Sequence, residues 1–434
     1  MMKFVSGLIA AAVAAVLMAG VSLAASPEDV LLARYELVLN LVRHTATYSP
    51  PVASRAFAYT GITAYEATAS GDASLKSLAG QLNGLTALPA RKPGVRYDEA
   101  VVLNAAMDAA IADFFGNTGP SGQQVMKAKS VKLRRAVTAG VPKAVVARSE
   151  AYGRALEKAI LAWSKSDGGA VVENLGFPKV YTVSKLPGHW VPTNQYQLQQ
   201  HPLLPGWGKN RPFAMPDGAS CTLPPPPAYS EDPSSEFFKQ AKEVYDTKNS
   251  LTDEQRTIAR FWSDDPGLSW TPPGHWVGIV MDIAQQRKLD VKTTAKALAK
   301  VGIAIADGFI GCWHEKYAYD YIRPVTFIKQ KIDPKWETLL ITPPFPEYPS
   351  GHSTQTGAAA EALTAVFGDN FAFDDTTHER DGLGVRHFTS FHAAAQEAGI
   401  SRLYGGIHFR AAIELGLDQG KCIGAYAAKL SMDK

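Results

Sequence analysis

The sequence predicts an all-α protein, with helical bundles packed around a deep polar site. Apolar residues recur at helical spacing along much of the chain, for example from Leu31 to Val42. A long stretch from Val291 to Tyr321 is alanine-rich and apolar in its middle, which is typical of a buried bundle helix. Breaks between the helical patterns fall at prolines such as Pro50-Pro51 and Pro324, which interrupt helices.

The chain divides into four predicted regions. Residues 1–24 are predicted to be a secretory signal peptide, because Lys3 precedes an apolar run and a small-x-small cleavage site at Ser22-Leu23-Ala24. We therefore expect an exported protein, periplasmic or secreted, with no stable membrane span after signal cleavage. The other regions are an N-terminal helical region, a covering loop rich in proline and aromatic residues, and a catalytic helical bundle: residues 25–165, 166–235 and 236–434.

Composition excludes some functions and leaves other properties open. A net charge of +3 on 434 residues is too weak to indicate nucleic-acid binding. The three cysteines are Cys221, Cys312 and Cys422, and their spacing does not fit a zinc site. An exported protein could form one disulfide from them, but the sequence does not select the pair. It also leaves open whether the chain forms an oligomer.

Chemistry-bearing residues concentrate in three short stretches of the last third of the chain. These stretches contain Lys316, Arg323, Ser350, Gly351, His352, Arg402 and His408. Lysine supplies a point charge and arginine a planar fork, while serine and a glycine N–H add neutral donors. The two imidazoles remain for bonding and for proton transfer. This inventory suits a site for a tetrahedral oxyanion.

The first two stretches have spacings that favour such a site. Lys316 and Arg323 are seven residues apart, which predicts that both lie on one face of a helix. Ser350 and Gly351 follow a proline-rich run and precede a helical pattern. They are therefore expected at a helix N-terminus, where free N–H groups and the helix dipole favour an anion.

The third stretch needs a break in its helix. Arg402 and His408 are six residues apart, so an unbroken helix would point them to different faces. Gly405-Gly406 lies between them and permits the chain to turn. We therefore expect both side chains to reach one site.

Together and in this order, the three stretches resemble the vanadium-dependent haloperoxidases. Their relatives, the type 2 phosphatidic acid phosphatases and bacterial acid phosphatases, share the pattern. The stretches are separated by 24 residues (325–348) and 48 residues (353–400), so three separate helices can deliver the ligands. The resemblance is weak before residue 250 and strong after it.

By this resemblance, orthovanadate would be a permanent cofactor, and hydrogen peroxide would oxidise halide to hypohalous acid there. His408 would bind vanadium axially, His352 would transfer protons, and Lys316 would polarise the peroxide. The cofactor oxygens would be bound by cationic and neutral donors: Lys316, Arg323, Ser350, Gly351, Arg402. An organic acceptor is a further expected small-molecule partner, and the residues do not determine the preferred halide.

Two alternatives use the same residues. In an exported acid phosphatase, phosphate would be the substrate and no cofactor would be needed; His408 would be the nucleophile and His352 the general acid. The phosphatase pattern places an Asp four residues after the last His, where this chain has Ala412, so the sequence favours a haloperoxidase. A non-catalytic anion-binding scaffold is the other alternative, although it would need neither histidine.

Four aromatic or histidine residues outside the three stretches are expected near the site by the same resemblance. They are Trp262, His275, Trp276 and Phe345. A packing role would explain each of them equally well. Phe345 and Trp276 are also candidates for shaping a halide pocket.

Overall fold

The computed structural model describes residues 25–45, 47–172, 181–193 and 201–434. Within these ranges it contains fourteen α-helices and one antiparallel pair of short strands, so the all-α prediction is confirmed. The elements are α1 Pro27–His44, α2 Pro50–Ala69, α3 Glu99–Phe114, α4 Pro120–Thr138, α5 Lys143–Ser164, α6 Gly169–Val172, α7 Glu236–Asn249, α8 Asp253–Phe261, α9 Thr271–Arg287, α10 Val291–Tyr319, α11 Pro324–Lys331, α12 Gly351–Phe367, β1 Phe373–Asp375, β2 Arg386–Phe388, α13 Phe391–Tyr404 and α14 Arg410–Ala428.

The predicted signal peptide, residues 1–24, lies outside the described residues. None of the helices that the structure describes is both long enough and apolar enough to cross a bilayer. The division of the remaining chain at residues 165 and 235 stays a prediction.

Helix α10 is central in the fold, and it packs against α2, α12 and α14. It ends at Tyr319, because Asp320 adopts a left-handed conformation with φ of 48°. Arg323 therefore does not share a helix with Lys316, and the prediction that both lie on one helical face is wrong. The residue before a proline avoids helical geometry, and Arg323 is accordingly extended (φ −79°, ψ 148°) as the N-cap of α11.

Helices α12 and α14 approach each other closely, which sets the position of the second motif relative to the third. A Cβ atom on Gly357 would lie 2.6 Å from the Leu417 carbonyl oxygen. A Cβ atom on Gly416 would lie 3.1 Å from the Ser350 carbonyl oxygen. Any larger residue at either position would push α12 and α14 apart.

The structure selects one cysteine pair. Cys221 and Cys422 form a disulfide that joins the proline-rich region to α14. Cys312 is a free, buried thiol on α10.

Candidate functional site

The second and third motifs meet at the floor of a cavity of about 480 Å³. Gly351, His352, Arg402 and His408 line this floor. Apolar side chains dominate the walls, and they come from every predicted region of the described chain: Pro50, Val52, Leu203, Pro266, Pro272, Phe309, Trp313, Leu340, Ile341, Pro343, Pro344, Phe345, Ile407. The lining also contains a few polar residues outside the motifs: Thr47, Ser49, Ser263, Asp264 and Asp265. The motif residues thus face a chamber that is mainly apolar.

The N-terminus of α12 forms one side of the floor. Ser350 is the N-cap, and its Oγ accepts a hydrogen bond from Ser353 N at 3.3 Å. The prediction that Ser350 and Gly351 stand at a helix start is confirmed. Gly351 lies close to Lys316, since a Cβ atom at Gly351 would be 3.9 Å from the Lys316 Cε. The positive end of the helix dipole therefore faces the floor.

Arg323 lies beneath the floor and is completely buried. Its Nε donates to Phe345 O at 3.0 Å, and its Nη1 donates to Ile407 O at 2.9 Å and lies 3.1 Å from His408 Nε2. Its Nη2 is buried without a hydrogen-bond partner among the described residues. Burial lowers the pKa of Arg323 to about 10, which still leaves it cationic at neutral pH.

Lys316 is also completely buried, near the end of α10. Its Nζ donates to Pro346 O at 2.9 Å and Glu347 O at 3.0 Å, and also to Pro349 O. Burial lowers the pKa of Lys316 to about 7. The ammonium group thus anchors the segment that leads into the second motif.

Arg402 reaches the floor from α13. Its Nε donates to Ser401 Oγ at 2.9 Å, and its Nη2 donates to Trp262 O at 2.5 Å and more weakly to Ala259 O at 3.4 Å. These two carbonyls belong to the C-terminal end of α8, where partial negative charge favours a cation. Burial lowers the pKa of Arg402 to about 10.

His408 lies opposite the start of α12, after a turn at Gly406. That glycine has a φ of +76°, which confirms the predicted break and would strain any residue with a Cβ atom. His408 Nδ1 lies 2.9 Å from Glu347 Oε1. Burial and the nearby cations Arg323 and Lys316 hold the pKa of His408 well below its usual range, so the imidazole is neutral at neutral pH.

His352 is the second residue of α12, and its side chain lines the cavity. Its Nε2 is shielded from solvent and has no partner among the described residues. Burial and the charge of Arg402 hold the pKa of His352 well below its usual range. A neutral imidazole at the cavity floor can accept or relay a proton.

The donor set fits a tetrahedral oxyanion such as vanadate. Three buried basic side chains, Lys316, Arg323 and Arg402, all act electrostatically on His408. The buried carboxyl groups beside them are Glu347 and, near Arg402, Asp264. The unpartnered Arg323 Nη2 and the free N–H groups at the start of α12 offer hydrogen bonds that the described protein atoms do not use. Burying such donors without partners is unfavourable, and an anion would satisfy them.

The four neighbouring candidates occupy different positions. Phe345 lines the cavity, and its ring centroid lies 5.0 Å from Lys316 Nζ and 5.1 Å from Arg323 Cζ. The face of the ring therefore stabilises the positive charge of both side chains. Trp262 supplies the carbonyl that binds Arg402, while its ring lies behind the floor. Trp276 packs near Trp262, with ring centroids 6.2 Å apart, and is not among the described residues that line the cavity.

His275 belongs to a buried charge network that the sequence did not predict. Its Nδ1 lies 2.8 Å from Asp264 Oδ2 and its Nε2 lies 2.8 Å from Asp375 Oδ2. His378 extends the network, with Nε2 3.1 Å from Asp264 Oδ1. Burial opposes a charge on His275, but Asp264 and Asp375 outweigh it and raise its pKa to about 10. The resulting imidazolium stacks on the Trp262 ring, and the two ring centroids are 4.5 Å apart.

Glu347 and the network carboxylates are the site residues that sequence reasoning missed. The one available signal for Glu347 was an acidic residue inside an otherwise apolar, proline-rich lead-in to Ser350. Asp264, Asp375 and His378 carried no local signal, because they lie in loop-like stretches where exposed polar residues are common.

A helical bundle with a buried cationic floor and two neutral imidazoles defines a class of oxyanion-binding proteins. Residues 296–434 match the family model for the VCPO second helical-bundle domain. A structure of a bacterial vanadium-dependent iodoperoxidase is similar with a TM-score of 0.86 and 40% identity, covering 94% of this chain and 97% of that one. This chain belongs to the vanadium-dependent haloperoxidase family.

Two further comparisons give a partial sequence match and a shared fold. The vanadium chloroperoxidase of Curvularia inaequalis is 28% identical over 211 residues, a match that spans only 35% of either chain. A holo-type bacterial vanadium-dependent chloroperoxidase shares the fold, with a TM-score of 0.65 and 18% identity, covering 93% of this chain and 92% of that one.

Proposed function

We propose that the protein is a vanadium-dependent haloperoxidase that oxidises halide with hydrogen peroxide to hypohalous acid. The observation that carries the proposal is geometric: His408 lines the cavity together with His352 and Arg402, and its Nε2 lies 3.1 Å from Arg323 Nη1. The iodoperoxidase relative, 40% identical over nearly the whole chain, supports the same activity. Iodide is therefore the first halide to test.

The residues divide into ligands and proton carriers. His408 Nε2 would bind vanadium, and the vanadate oxygens would be held by Lys316, Arg323, Ser350, Gly351 and Arg402. Bound vanadate supplies a Lewis acid that activates hydrogen peroxide. Arg323 Nη2, which has no partner among the described residues, would donate to its oxygens and stabilise their negative charge. Lys316 would do the same by exchanging one of its three bonds to backbone carbonyls for a vanadate oxygen. His352 would accept and return the protons of peroxide and water.

The cavity walls support an organic acceptor as a further substrate. A halide ion gains nothing from apolar walls, whereas a small apolar molecule is stabilised by burial against them. The disulfide between Cys221 and Cys422 supports export, because such bonds persist in oxidising compartments. An exported enzyme would also meet peroxide and halide outside the cytoplasm.

One observation favours the acid phosphatase alternative. The sequence lacks the Asp at position 412 that would orient a nucleophilic histidine, yet Glu347 provides a carboxylate 2.9 Å from His408 Nδ1. The lack of an orienting group therefore no longer counts against phosphate chemistry. The family relatives still favour the haloperoxidase.

The two activities are separated by one experiment. Purified protein loaded with orthovanadate is assayed with peroxide and iodide, bromide or chloride, and unloaded protein is assayed for phosphate-ester hydrolysis. We expect vanadate-dependent oxidation of at least iodide. Hydrolysis of phosphate esters without any halide oxidation would instead assign the chain to the phosphatases, and inactivity in both assays would leave an anion-binding scaffold.

We expect His352→Ala to retain orthovanadate binding and to lose about 10²–10⁴-fold in turnover, the contribution of a positioned acid–base group. His352 lines the cavity, and its Nε2 has no hydrogen-bond partner among the described residues, so its loss removes a proton carrier and leaves the other ligands in place. Vanadate affinity is measured by titration calorimetry and turnover by iodide oxidation. His387→Ala, at an exposed histidine, is the control. Full turnover in His352→Ala would exclude the proton-transfer role.

A further inference from the structure

We propose that Glu347 is the positioning residue of this site, fixing the tautomer of His408 so that Nε2 presents its lone pair to the bound oxyanion. The inference rests on the proposed oxyanion site and adds a residue to it. It is carried by contacts on both sides of the imidazole.

The first contacts are on the Nδ1 side. Glu347 is completely buried, and its Oε1 lies 2.9 Å from His408 Nδ1 and accepts a hydrogen bond from Phe409 N at 2.8 Å. Burial raises the pKa of Glu347 to about 7, but Oε1 acts as an acceptor in either charge state, because it accepts from Phe409 N and any proton would lie on the unpartnered Oε2. The proton of this contact is therefore on Nδ1. Because the same oxygen also binds the next backbone amide, the carboxylate is aligned with the backbone that carries the imidazole.

The second contact is on the Nε2 side. Arg323 Nη1 lies 3.1 Å from His408 Nε2, and a guanidinium group only donates hydrogen bonds. A proton on Nε2 is therefore disfavoured, although the same Nη1 also donates to Ile407 O at 2.9 Å. Both neighbours thus favour the same tautomer, with the proton on Nδ1 and the lone pair on Nε2, and Glu347 is the one that binds the proton itself.

The segment that carries Glu347 is held rigidly. Lys316 Nζ binds the carbonyls of Pro346 and Glu347 at 2.9 and 3.0 Å. Glu347 N donates to Tyr321 O at 3.0 Å, and the Tyr348 hydroxyl donates to Pro224 O at 2.6 Å. A positioning group is effective when its own backbone is restrained. Lys316 therefore contributes to the orientation of His408 through this segment.

The carboxylate that orients His408 does not come from position 412, where the phosphatase pattern places an Asp. Ala412 is completely buried, and its carbonyl accepts a hydrogen bond from Ser350 N at 2.9 Å. The orienting carboxylate comes instead from 61 residues before His408, in the segment that leads into Ser350. Glu347 thereby joins the second motif to the third.

Two substitutions test the proposal. Glu347→Ala removes both hydrogen bonds, whereas Glu347→Gln can keep both of them, because one oxygen accepts both and the other has no partner among the described residues. Affinity for orthovanadate is measured by titration calorimetry on the unloaded protein. We expect Glu347→Ala to weaken binding by roughly 10–100-fold, as for other groups that orient a metal-binding histidine, and Glu347→Gln to weaken it much less.

A second readout needs no vanadate. In protein labelled with ¹⁵N-histidine, the His408 nitrogen shifts, assigned with His408→Gln, report the tautomer. Wild type and Glu347→Gln should show protonated Nδ1 only, and Glu347→Ala a mixture. Glu315→Gln, at another buried glutamate, is the matched control. Wild-type vanadate affinity or an unchanged tautomer in Glu347→Ala would overturn the proposal. A Glu347-dependent tautomer in a protein that binds no vanadate would overturn only the proposed function.

Discussion

Replacing His408 with alanine is expected to reduce halide oxidation by at least about 10²–10³-fold, comparable to removing a principal stabiliser of transition-state charge. Among the described site residues, His408 offers an uncharged nitrogen, Nε2, that contacts Arg323, and its side chain lines the cavity. Without it, vanadate would be held only by charge and hydrogen bonds. Turnover with iodide and the dissociation constant for orthovanadate are measured together, and both are expected to deteriorate.

The control for this substitution is His387→Ala. His387 is exposed and pairs with Asp374 on the short strands, so its loss should leave both quantities unchanged. If His408→Ala kept full turnover and affinity, His408 would have no role as a vanadium ligand.

The largest loss of stability is expected for His275→Ala. The substitution leaves Asp264 and Asp375 buried without the imidazolium that now lies 2.8 Å from each. Removing one member of a buried ion pair typically costs about 3–5 kcal/mol, because the partner charge stays uncompensated. Chemical unfolding followed by tryptophan fluorescence and circular dichroism measures the free energy of unfolding, and His387→Ala again serves as the exposed control.

The pH dependence of this loss has a defined sign. Because the folded-state pKa of His275 is raised to about 10 from 6.5, its stabilisation is complete below pH 6.5 and disappears as the pH rises through 10. Burial would raise the pKa of Asp264, but His275 and His378 hold it well below 3.8. The contribution of Asp264 to the free energy of unfolding is therefore present above pH 3.8 and is lost as the pH falls below that value. The difference between wild type and variant should therefore be largest between pH 3.8 and 6.5. A difference that grew toward pH 10 would contradict the charged network.

Features set by neighbouring residues could be predicted from the sequence. The proline-rich run before Ser350 locates a helix start, because proline restricts the backbone and prevents a helix from extending further back. The glycine pair before His408 locates a chain turn, because glycine can adopt a positive φ. Arg323 shows the limit of this reasoning: its spacing from Lys316 fitted one helix, but Asp320 ends that helix first. The side chain still reaches the site, since α11 begins at the residue after it.

Contacts between distant segments could not be predicted. Glu347 meets His408 across 61 residues, and His275 meets Asp375 across 100. Such pairs depend on how the helices pack, and no local periodicity records them. An acidic residue within an apolar segment indicates a buried partner but does not identify it.

The composition of the chamber bears on the proposed production of hypohalous acid, which is a strong oxidant. Among the described residues that line it, none is cysteine, methionine or tyrosine, and Trp313 is the most readily oxidised side chain apart from the histidines. Cys312 lies behind the α12 start, near Pro349 O, where burial raises the pKa of its thiol and keeps the reactive thiolate scarce. If the proposed activity is correct, the walls are thus built mostly from side chains that would resist oxidation by hypohalous acid formed in the chamber.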